Sequence, residues 1–343
     1  MARDLRQAQL KKGAILAAML ALIAASLLLD FVLGPSGLTL ATLGQTLLHP
    51  DGVSAPLRII VWDIRLPSAL LALLVGMALG LAGAEMQTIL NNALASPFTL
   101  GVSSAAAFGA ALAIVLGLSL PGVPQSALIP ANAFGFALLS ALLLDAVARG
   151  LRVSGTGVIL LGIAMVFTFN ALVSVMQFIA DEDTLQGLIF WTMGSLSRAT
   201  WDKVAILGAA LGVVLPWSLR SAWQLTALRL GEERAASFGV NVRRLRLNAL
   251  LRISLLAALA VAFVGPIGFI GLVAPHMARQ LLGEDHRYYL PGSLLTGGLL
   301  LSLASVASKN LLSGVLLPVG IVTSLVGIPL FLAIVMRRRG ELS

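Results

Sequence analysis

Side chains that commonly carry catalysis or bind metals are scarce in this sequence of 343 residues. Cys is absent, which excludes thiolate nucleophiles, disulfides and Cys-based metal sites. The His residues, His49, His276 and His286, lie far apart along the chain and indicate no metal cluster. No Lys follows Gly, as the Lys of a phosphate-binding loop does. We therefore expect no catalytic residue, bound metal or cofactor in this chain.

Ionisable residues inside apolar segments are the remaining candidates, because a charge within a membrane is costly and usually functional. Glu85 lies at the end of such a segment, and Asp145 precedes Arg149 by one helical turn, a spacing that favours a structural ion pair. Arg252 lies about a turn and a half inside its segment, from where its side chain could reach back to water, and a structural role is favoured. So few carboxylates argue against a carrier driven by protons or sodium.

The composition indicates what must position these residues. Hydrophobic residues make up 58% of the chain and charged residues 11%, whereas a soluble domain has roughly a quarter charged residues. Apolar segments able to cross a bilayer as helices lie near 14–33, 66–84, 99–118, 131–148, 154–179, 203–219, 247–264, 267–282, 290–307 and 319–336. We predict an all-α, polytopic membrane protein with about ten transmembrane helices in one domain, residues 1–343.

Two details refine this prediction. The first apolar segment lacks a small-residue cleavage pattern, so we expect it to remain as the first span. The spacing Gly76-x-x-x-Gly80 allows two helices to approach closely.

Loop charges predict the orientation, because cytoplasmic loops carry an excess of Lys and Arg. With a cytoplasmic N-terminus, most of the 23 Lys and Arg residues fall on the cytoplasmic side. The opposite side then receives Arg58, Arg65, Arg198, Lys203 and Lys309. Both termini are therefore expected in the cytoplasm, which requires an even number of spans. The net charge of +8 reflects this topology rather than a nucleic-acid partner.

The longest polar stretch, residues 220–246, is predicted to be a short helix, a turn and a second helix outside the membrane. Glu232 and Glu233 open a run of helix formers, and Gly239 closes it as a C-terminal cap would. Ala235 and Ala236 are small enough for another surface to approach. From this pattern alone, an ordinary amphipathic loop helix is slightly favoured over a protein contact site.

Several motifs resemble those of the iron-chelate and vitamin B12 ABC permease family, in the expected order. They contain Pro67, Gln87, Asn92, Pro97, Gly101, Pro275, His276, Arg279, Pro318, Gly320 and Pro329. The most recognisable stretch covers residues 265–276, followed by Arg279 and Asp285-His286-Arg287. Residues 232–240 are similar to the loop by which bacterial ABC importers contact their ATPase subunits.

The resemblance implies a type II ABC importer permease with a multi-pass location in the bacterial inner membrane. Its partners would be two ATPase subunits that hold ATP and Mg, a second permease that is identical or homologous, an external substrate-binding protein and the lipid bilayer. The ATPase contact would involve Glu232, Glu233, Ala235, Ala236 and Gly239. The motif residues would shape the structure or the pathway, and the chain itself would not be an enzyme.

The sequence departs from the family pattern where the binding protein would dock. Family members carry external basic residues that are thought to receive carboxylates of the binding protein. Arg65 matches one of them, and Lys309 keeps the charge of another but lacks the planar, two-pronged geometry of its Arg. Ser68 replaces a second Arg, and Ser305 replaces an Asp that precedes the position of Lys309. Docking is therefore expected to be weaker or differently arranged.

Some residues permit more than one interpretation. His276 could ligate iron or haem, but a hydrogen-bonding role beside the helix-breaking Pro275 is favoured. Trp191 and Trp201 are expected in an interfacial aromatic belt. Met165, Met176 and Met193 could line a pathway, although core packing is the commoner role for Met.

The resulting hypothesis is ATP-driven import of a metal chelate, with a ferric siderophore ahead of haem or cobalamin. A stand-alone secondary transporter and a membrane receptor without transport activity are the alternatives from other classes.

Overall fold

The computed structural model describes residues 2–34, 37–117, 124–150, 155–312 and 314–340. Helices account for nearly all of these ranges. They are Ala2–Val32 (α1), Leu40–Leu48 (α2), Ala55–Arg58 (α3), Leu66–Ile89 (α4), Val102–Val115 (α5), Gln125–Gly150 (α6), Gly155–Ile179 (α7), Glu182–Thr192 (α8), Trp201–Arg220 (α9), Ala222–Leu228 (α10), Glu232–Ser237 (α11), Val242–Val264 (α12), Ile270–Leu282 (α13), His286–Asn310 (α14) and Val319–Gly340 (α15). A π-helical turn, Ile59–Arg65, joins α3 to α4.

Each predicted apolar segment coincides with one of these helices, so the all-α prediction is confirmed. Within the described residues, 7 helices are long and apolar enough to cross a membrane, namely α1, α4, α6, α7, α9, α12 and α14. The apolar parts of α5 and α15 are shorter, and α13 has only 13 residues with Pro275 inside it. The short helices explain why segment edges were hard to place from sequence.

The short helix α13 is preceded by irregular backbone that packs inside the protein. Gly265 and Phe269, just before α13, both have positive φ angles of 83° and 67°. The carbonyl oxygen of Val264 accepts a hydrogen bond from the Ser195 amide at 2.7 Å. Non-helical backbone is tolerated at membrane depth where protein surrounds it.

The helix α4 lies at the centre of the bundle and touches α13 and α14 backbone to backbone. A Cβ atom added to Gly76 would overlap the carbonyl of Gly297, and one added to Gly83 would overlap the carbonyl of Gly271. Gly80 meets the carbonyl of Ser293 in the same way. The close approach predicted from Gly76-x-x-x-Gly80 is therefore confirmed.

Side-chain contacts group the loops at two ends of the bundle. Lys12 of α1 lies over the ring of Tyr288 at 5.0 Å, while Asp30, near the other end of α1, pairs with Lys309. The helices α1 and α14 therefore run parallel, and α4 runs against them. One end carries residues 220–246 and is called the 220–246 end; the other carries Arg65 and is called the Arg65 end. Which end faces the cytoplasm stays a prediction from the loop charges.

The glycine contacts of α4 generate a stability prediction. In Gly76→Ala, the new methyl group meets the backbone of α14, which cannot rotate away. We expect the free energy of unfolding to fall by about 1–3 kcal/mol, as for other overpacked sites. Gly135→Ala is the matched control, since a Cβ at Gly135 of α6 meets open space. Thermal unfolding of both variants in detergent tests this; equal midpoints would contradict the close contact.

Candidate functional site

Residues 220–246 form the compact helical element that the sequence predicts. Gly231 and Gly239, with φ of 105° and 84°, bracket α11. The amides of Gly239 and Val240 donate to the carbonyls of Ala236 and Ala235, at 2.9 and 3.1 Å. This pair of bonds is a Schellman motif, which needs a residue such as Gly in the left-handed conformation. Gly239 therefore caps α11 as expected.

The helix α11 has one buried and one exposed side. Ala235 is fully buried, whereas Glu233 and Ala236 face outward. Glu232 pairs with Arg246 of α12 at 2.6 Å, and this ion pair fixes the first turn of α11. Phe238, just beyond the helix, leaves 60% of its area exposed. An exposed acid beside exposed apolar surface suits contact with another protein.

Charged side chains connect this element to the last turn of α4. Arg229, at the end of α10, donates to Asn91 at 2.9 Å and to Glu284 at 2.6 Å. The bond from Arg229 lowers the pKa of Glu284 below its ordinary value. Arg246 donates to the carbonyl of Ile89 at 3.3 Å. Asn91 has a positive φ of 46°, which Asn tolerates better than most residues.

A buried imidazole makes a second connection to α4. The ring of His286, at the start of α14, lies 2.8 Å from the hydroxyl of Thr88 on α4 and 3.1 Å from that of Thr226 on α10. His286 is 1% exposed. Sequence reasoning assigned no role to this His, although it lies in the Asp285-His286-Arg287 motif.

A polar cluster behind these contacts joins α4, α13 and α14. Arg279 donates to Gln87 at 3.2 Å and to the hydroxyl of Tyr289 at 3.1 Å. Gln87 in turn donates to the carbonyl of Leu272 at 3.2 Å. The structure thus brings together two motif residues, Gln87 and Arg279, and adds Tyr289, which no sequence signal had singled out.

The remaining motif residues of the N-terminal half shape the backbone. Pro67 is the second residue of α4, directly after the π-helical turn Ile59–Arg65. The side chain of Asn92 accepts from the amide of Leu94 at 2.8 Å and closes a turn. Pro97 is buried, and Gly101 precedes α5 with φ of 85°.

The motif residues of the C-terminal half lie in α13, in α15 or directly before α15. His276 lies in α13 directly after Pro275, and its ring is 3.1 Å from the Gln280 amide nitrogen. Gly320 donates to the carbonyl of Gly194 at 3.2 Å, at the Arg65 end. Pro318 precedes α15 and Pro329 lies within it. Across the described ranges, no three His, Asp or Glu side chains gather as a metal site.

At the Arg65 end, the two predicted docking residues are engaged inside the protein. Arg65 donates to the carbonyl of Phe31 at 2.7 Å and is 6% exposed. Lys309 donates to the buried Asp30 of α1 at 2.9 Å. Both border a cavity of about 330 Å³ that Ser68 and Ser305 also line. The predicted role in docking stays a prediction.

Asp30 lies beside a position where the sequence departs from the family pattern. Ser305 lies one turn before Lys309 on α14, lines the same cavity as Asp30 and has a buried, unpartnered hydroxyl. The carboxylate that pairs with Lys309 in this cavity comes from α1, from Asp30. Sequence reasoning missed this because 279 positions separate Asp30 from Lys309.

Arg252 forms an ion pair within the bundle, in agreement with the favoured structural role, and its side chain does not reach back to water. Its Nε lies 3.0 Å from both carboxylate oxygens of Glu85, and both side chains are 1% exposed. The guanidinium also lies over the ring of Trp217, 5.2 Å from its centroid. The pair therefore joins α4 to α12 and lies against α9.

The burial of side chains bears on the expectations for the two Trp residues and for Met165. Trp191 is 3% exposed and lies beneath Arg198, so its assignment to an interfacial belt is wrong. Trp201 is partly exposed and donates to the carbonyl of Trp62 at 2.9 Å. Met165 is buried in the core, in agreement with the commoner role of Met. Asp145 and Arg149 have side chains outside the described set.

Comparisons with known proteins agree on one class. The model of the FecCD transport family matches residues 19–337. The hemin transport system permease protein HmuU of Yersinia pestis is 39% identical over 82% of this chain and 85% of its own length. The vitamin B12 import system permease protein BtuC of Vibrio vulnificus is 35% identical over 86% of this chain and 88% of its own.

A solved structure supports the same class. It is described as an inward-facing conformation of a metal-chelate type ABC transporter, and it is 30% identical to this chain. Its TM-score is 0.82, with 95% of this chain and 99% of the other covered. The similarity extends over both ends of the bundle.

The buried ion pair leads to a prediction about stability. Arg252→Gln leaves the Glu85 carboxylate without its counter-charge, and we expect unfolding to become easier by about 3–5 kcal/mol. The double variant Glu85→Gln, Arg252→Gln has no buried charge and should lose less than the two single variants together. Denaturant unfolding in detergent measures all three; strict additivity would argue against direct pairing.

The Asp30–Lys309 ion pair leads to a prediction about how fast the Lys309 amine is chemically modified. In Asp30→Ser, Lys309 loses its counter-charge, and we expect a water-soluble amine reagent to modify it faster. Adding Ser305→Asp to that variant should return Lys309 to slow modification. Mass spectrometry of Lys309 peptides, with Lys203 as the internal reference, gives the rates. Equal Lys309 rates in the wild type and Asp30→Ser would contradict the pairing.

Proposed function

This chain belongs to the FecCD transport family, and we propose that it is the permease through which a ferric siderophore crosses the bacterial inner membrane. Its class is that of ABC importer permeases for iron chelates, haem or vitamin B12. The siderophore, the partner subunits and the site roles below are the proposed part.

The helix α11 is the observation that carries the proposal. It is short, presents Glu233 and Ala236 outward, and is fixed to the bundle by Ala235 and by the Glu232–Arg246 pair. We assign this surface to one of two ATPase subunits, which would hold ATP and Mg. When the ATPases close on ATP, they would displace α11 and with it the helices to which residues 220–246 are bonded.

The exposed side of α7 supports a second permease. Thr168, Asn170 and Ser174 are exposed in the middle of this apolar helix. A polar amide such as that of Asn170 is costly against lipid but suits a subunit interface or a water-lined pathway. An identical or homologous permease that faces α7 would provide this environment, with the substrate passing between the two subunits.

The Arg65 end is assigned to the external binding protein. Arg65 and Lys309 supply positive charge around the cavity, but Asp30 already neutralises Lys309. A carboxylate of the binding protein would therefore compete with Asp30 for Lys309. With this arrangement, the 220–246 end and both termini would lie in the cytoplasm, as the loop charges predict.

The cargo is proposed to be a chelate that the external protein selects. A ferric siderophore is the first candidate, and haem and cobalamin are the alternatives from the same class. A stand-alone secondary transporter is a remote alternative, because the buried carboxylate Glu85 is already paired with Arg252, which joins α4 to α12.

Transport by the reconstituted complex tests the proposed function. The permease, its ATPase and its binding protein are placed in proteoliposomes, and uptake of labelled ferric siderophore, haem and cobalamin is compared. We expect siderophore uptake that requires internal ATP and survives a protonophore. Uptake that collapses with the protonophore and persists without ATP would contradict the proposal. Uptake of haem or cobalamin without uptake of the siderophore would show that the proposed cargo is wrong.

The role of α11 has its own test. Glu233→Arg reverses an exposed charge on the proposed ATPase contact, and we expect substrate-stimulated ATP hydrolysis to fall at least fivefold, about 1 kcal/mol. Gln9→Arg adds positive charge at an exposed position of α1, outside residues 220–246 and away from the Arg65 end, and should leave hydrolysis unchanged. Equal activity of the two variants would remove α11 from the mechanism.

A further inference from the structure

His286 lies where three moving parts of the proposed mechanism meet. Its ring touches Thr226 of α10 and Thr88 of α4, and its own backbone begins α14. The position is buried, with 1% of the residue exposed. A rigid aromatic ring in such a place can transmit displacement from one helix to another.

The hydrogen bonds around His286 form a directed series. With hydrogen on Nε2, the ring donates to the hydroxyl of Thr88, which donates to the carbonyl of Ala84 at 2.9 Å. The other ring nitrogen, Nδ1, lies 3.1 Å from the hydroxyl of Thr226, whose one hydrogen also has the carbonyl of Ala222 as an acceptor at 2.9 Å. The backbone amide of His286 donates to the same Thr226 oxygen at 3.1 Å. A neutral imidazole therefore donates to Thr88 and shares the Thr226 hydrogen with Ala222.

Other polar contacts between residues 220–246 and the end of α4 are wetter. Arg229 bonds the exposed Asn91, just beyond α4, and Arg246, whose side chain is 39% exposed, bonds the carbonyl of Ile89. Water competes for polar contacts at exposed sites and weakens them. The bond of His286 to Thr88 is buried and its bond to Thr226 is partly buried, and a buried donor or acceptor that loses its partner is left unsatisfied. The His286 bonds therefore resist separation of α10 from α4 more strongly.

We infer that His286 is a positioning residue that couples α10 to α4, so that displacement of the ATPase contact moves the central helix. This inference rests on the proposed function and adds the route by which it works. By reciprocity, a change in α4 caused by substrate would also bias α10 and the ATPase contact.

Conservative changes at the two threonines test the coupling. Thr88→Val and Thr226→Val each remove one hydroxyl while preserving side-chain shape. In the reconstituted complex, we expect either variant to lower substrate transported per ATP hydrolysed about fivefold, as a loss near 1 kcal/mol would. The double variant should be no worse than the more severe single variant, because either change already breaks the series.

Controls separate coupling from stability. Thr88→Ser and Thr226→Ser keep the hydroxyl and should keep wild-type coupling, even if a Val variant assembles poorly. Thr192→Val removes a comparable hydroxyl-to-carbonyl bond at the far end of α8 and should have no effect. Complex assembly and thermal midpoint are measured for every variant.

The outcomes distinguish the inference from the function beneath it. If the wild type transports substrate and both Val variants couple normally, His286 does not transmit movement and the inference is wrong. If the two Val effects simply add, the contacts contribute to stability alone, and the inference is again wrong. If the wild-type complex shows no ATP-driven uptake, the proposed function fails and the inference fails with it.

Discussion

The contact of α4 with α13 and α14 is the constraint on which the rest of the structure depends. Gly76 and Gly83 meet the carbonyls of Gly297 and Gly271 with no side chain between them. Closely packed backbones cannot yield by rotating a side chain, so these three helices are held as one body. Lipid supplies little hydrophobic drive between helices, and close packing of this kind is a main source of membrane-protein stability.

Polar contacts then extend from this body to both ends. Gln87, Arg279 and Tyr289 join its three helices to one another near the 220–246 end. Glu85 joins it to α12 through Arg252, while Arg65 joins it to the last turn of α1. The central helix α4 is therefore connected through Arg246 and His286 to the element assigned to the ATPase, and its Ser68 lines the cavity assigned to the binding protein. An importer that links two partners on opposite sides of a membrane needs such a connection.

Local features of the fold were predictable from the sequence, whereas long-range pairings were not. The apolar segments, the close approach at Gly76 and the cap at Gly239 all follow from residues near in sequence. Asp30 with Lys309, Glu85 with Arg252, and His286 with two threonines join residues far apart, and only the folded bundle brings them together. Trp191 was misplaced for the same reason: its burial depends on α8 folding back onto the bundle, which no local pattern records.

The central claim is that the proposed ATPase contact and α4 move together. Because the chain has no Cys, paired substitutions Leu230→Cys and Leu94→Cys place spin labels at exposed positions beside α11 and just beyond α4. Pulsed electron paramagnetic resonance then gives the distance between them in the reconstituted complex, with and without ATP. The account predicts that the distance between the labels at Leu230→Cys and Leu94→Cys is the same with and without ATP. The distance from Leu230→Cys to a label at Leu160→Cys on α7 is expected to change. A Leu230–Leu94 distance that shifts with ATP would contradict it.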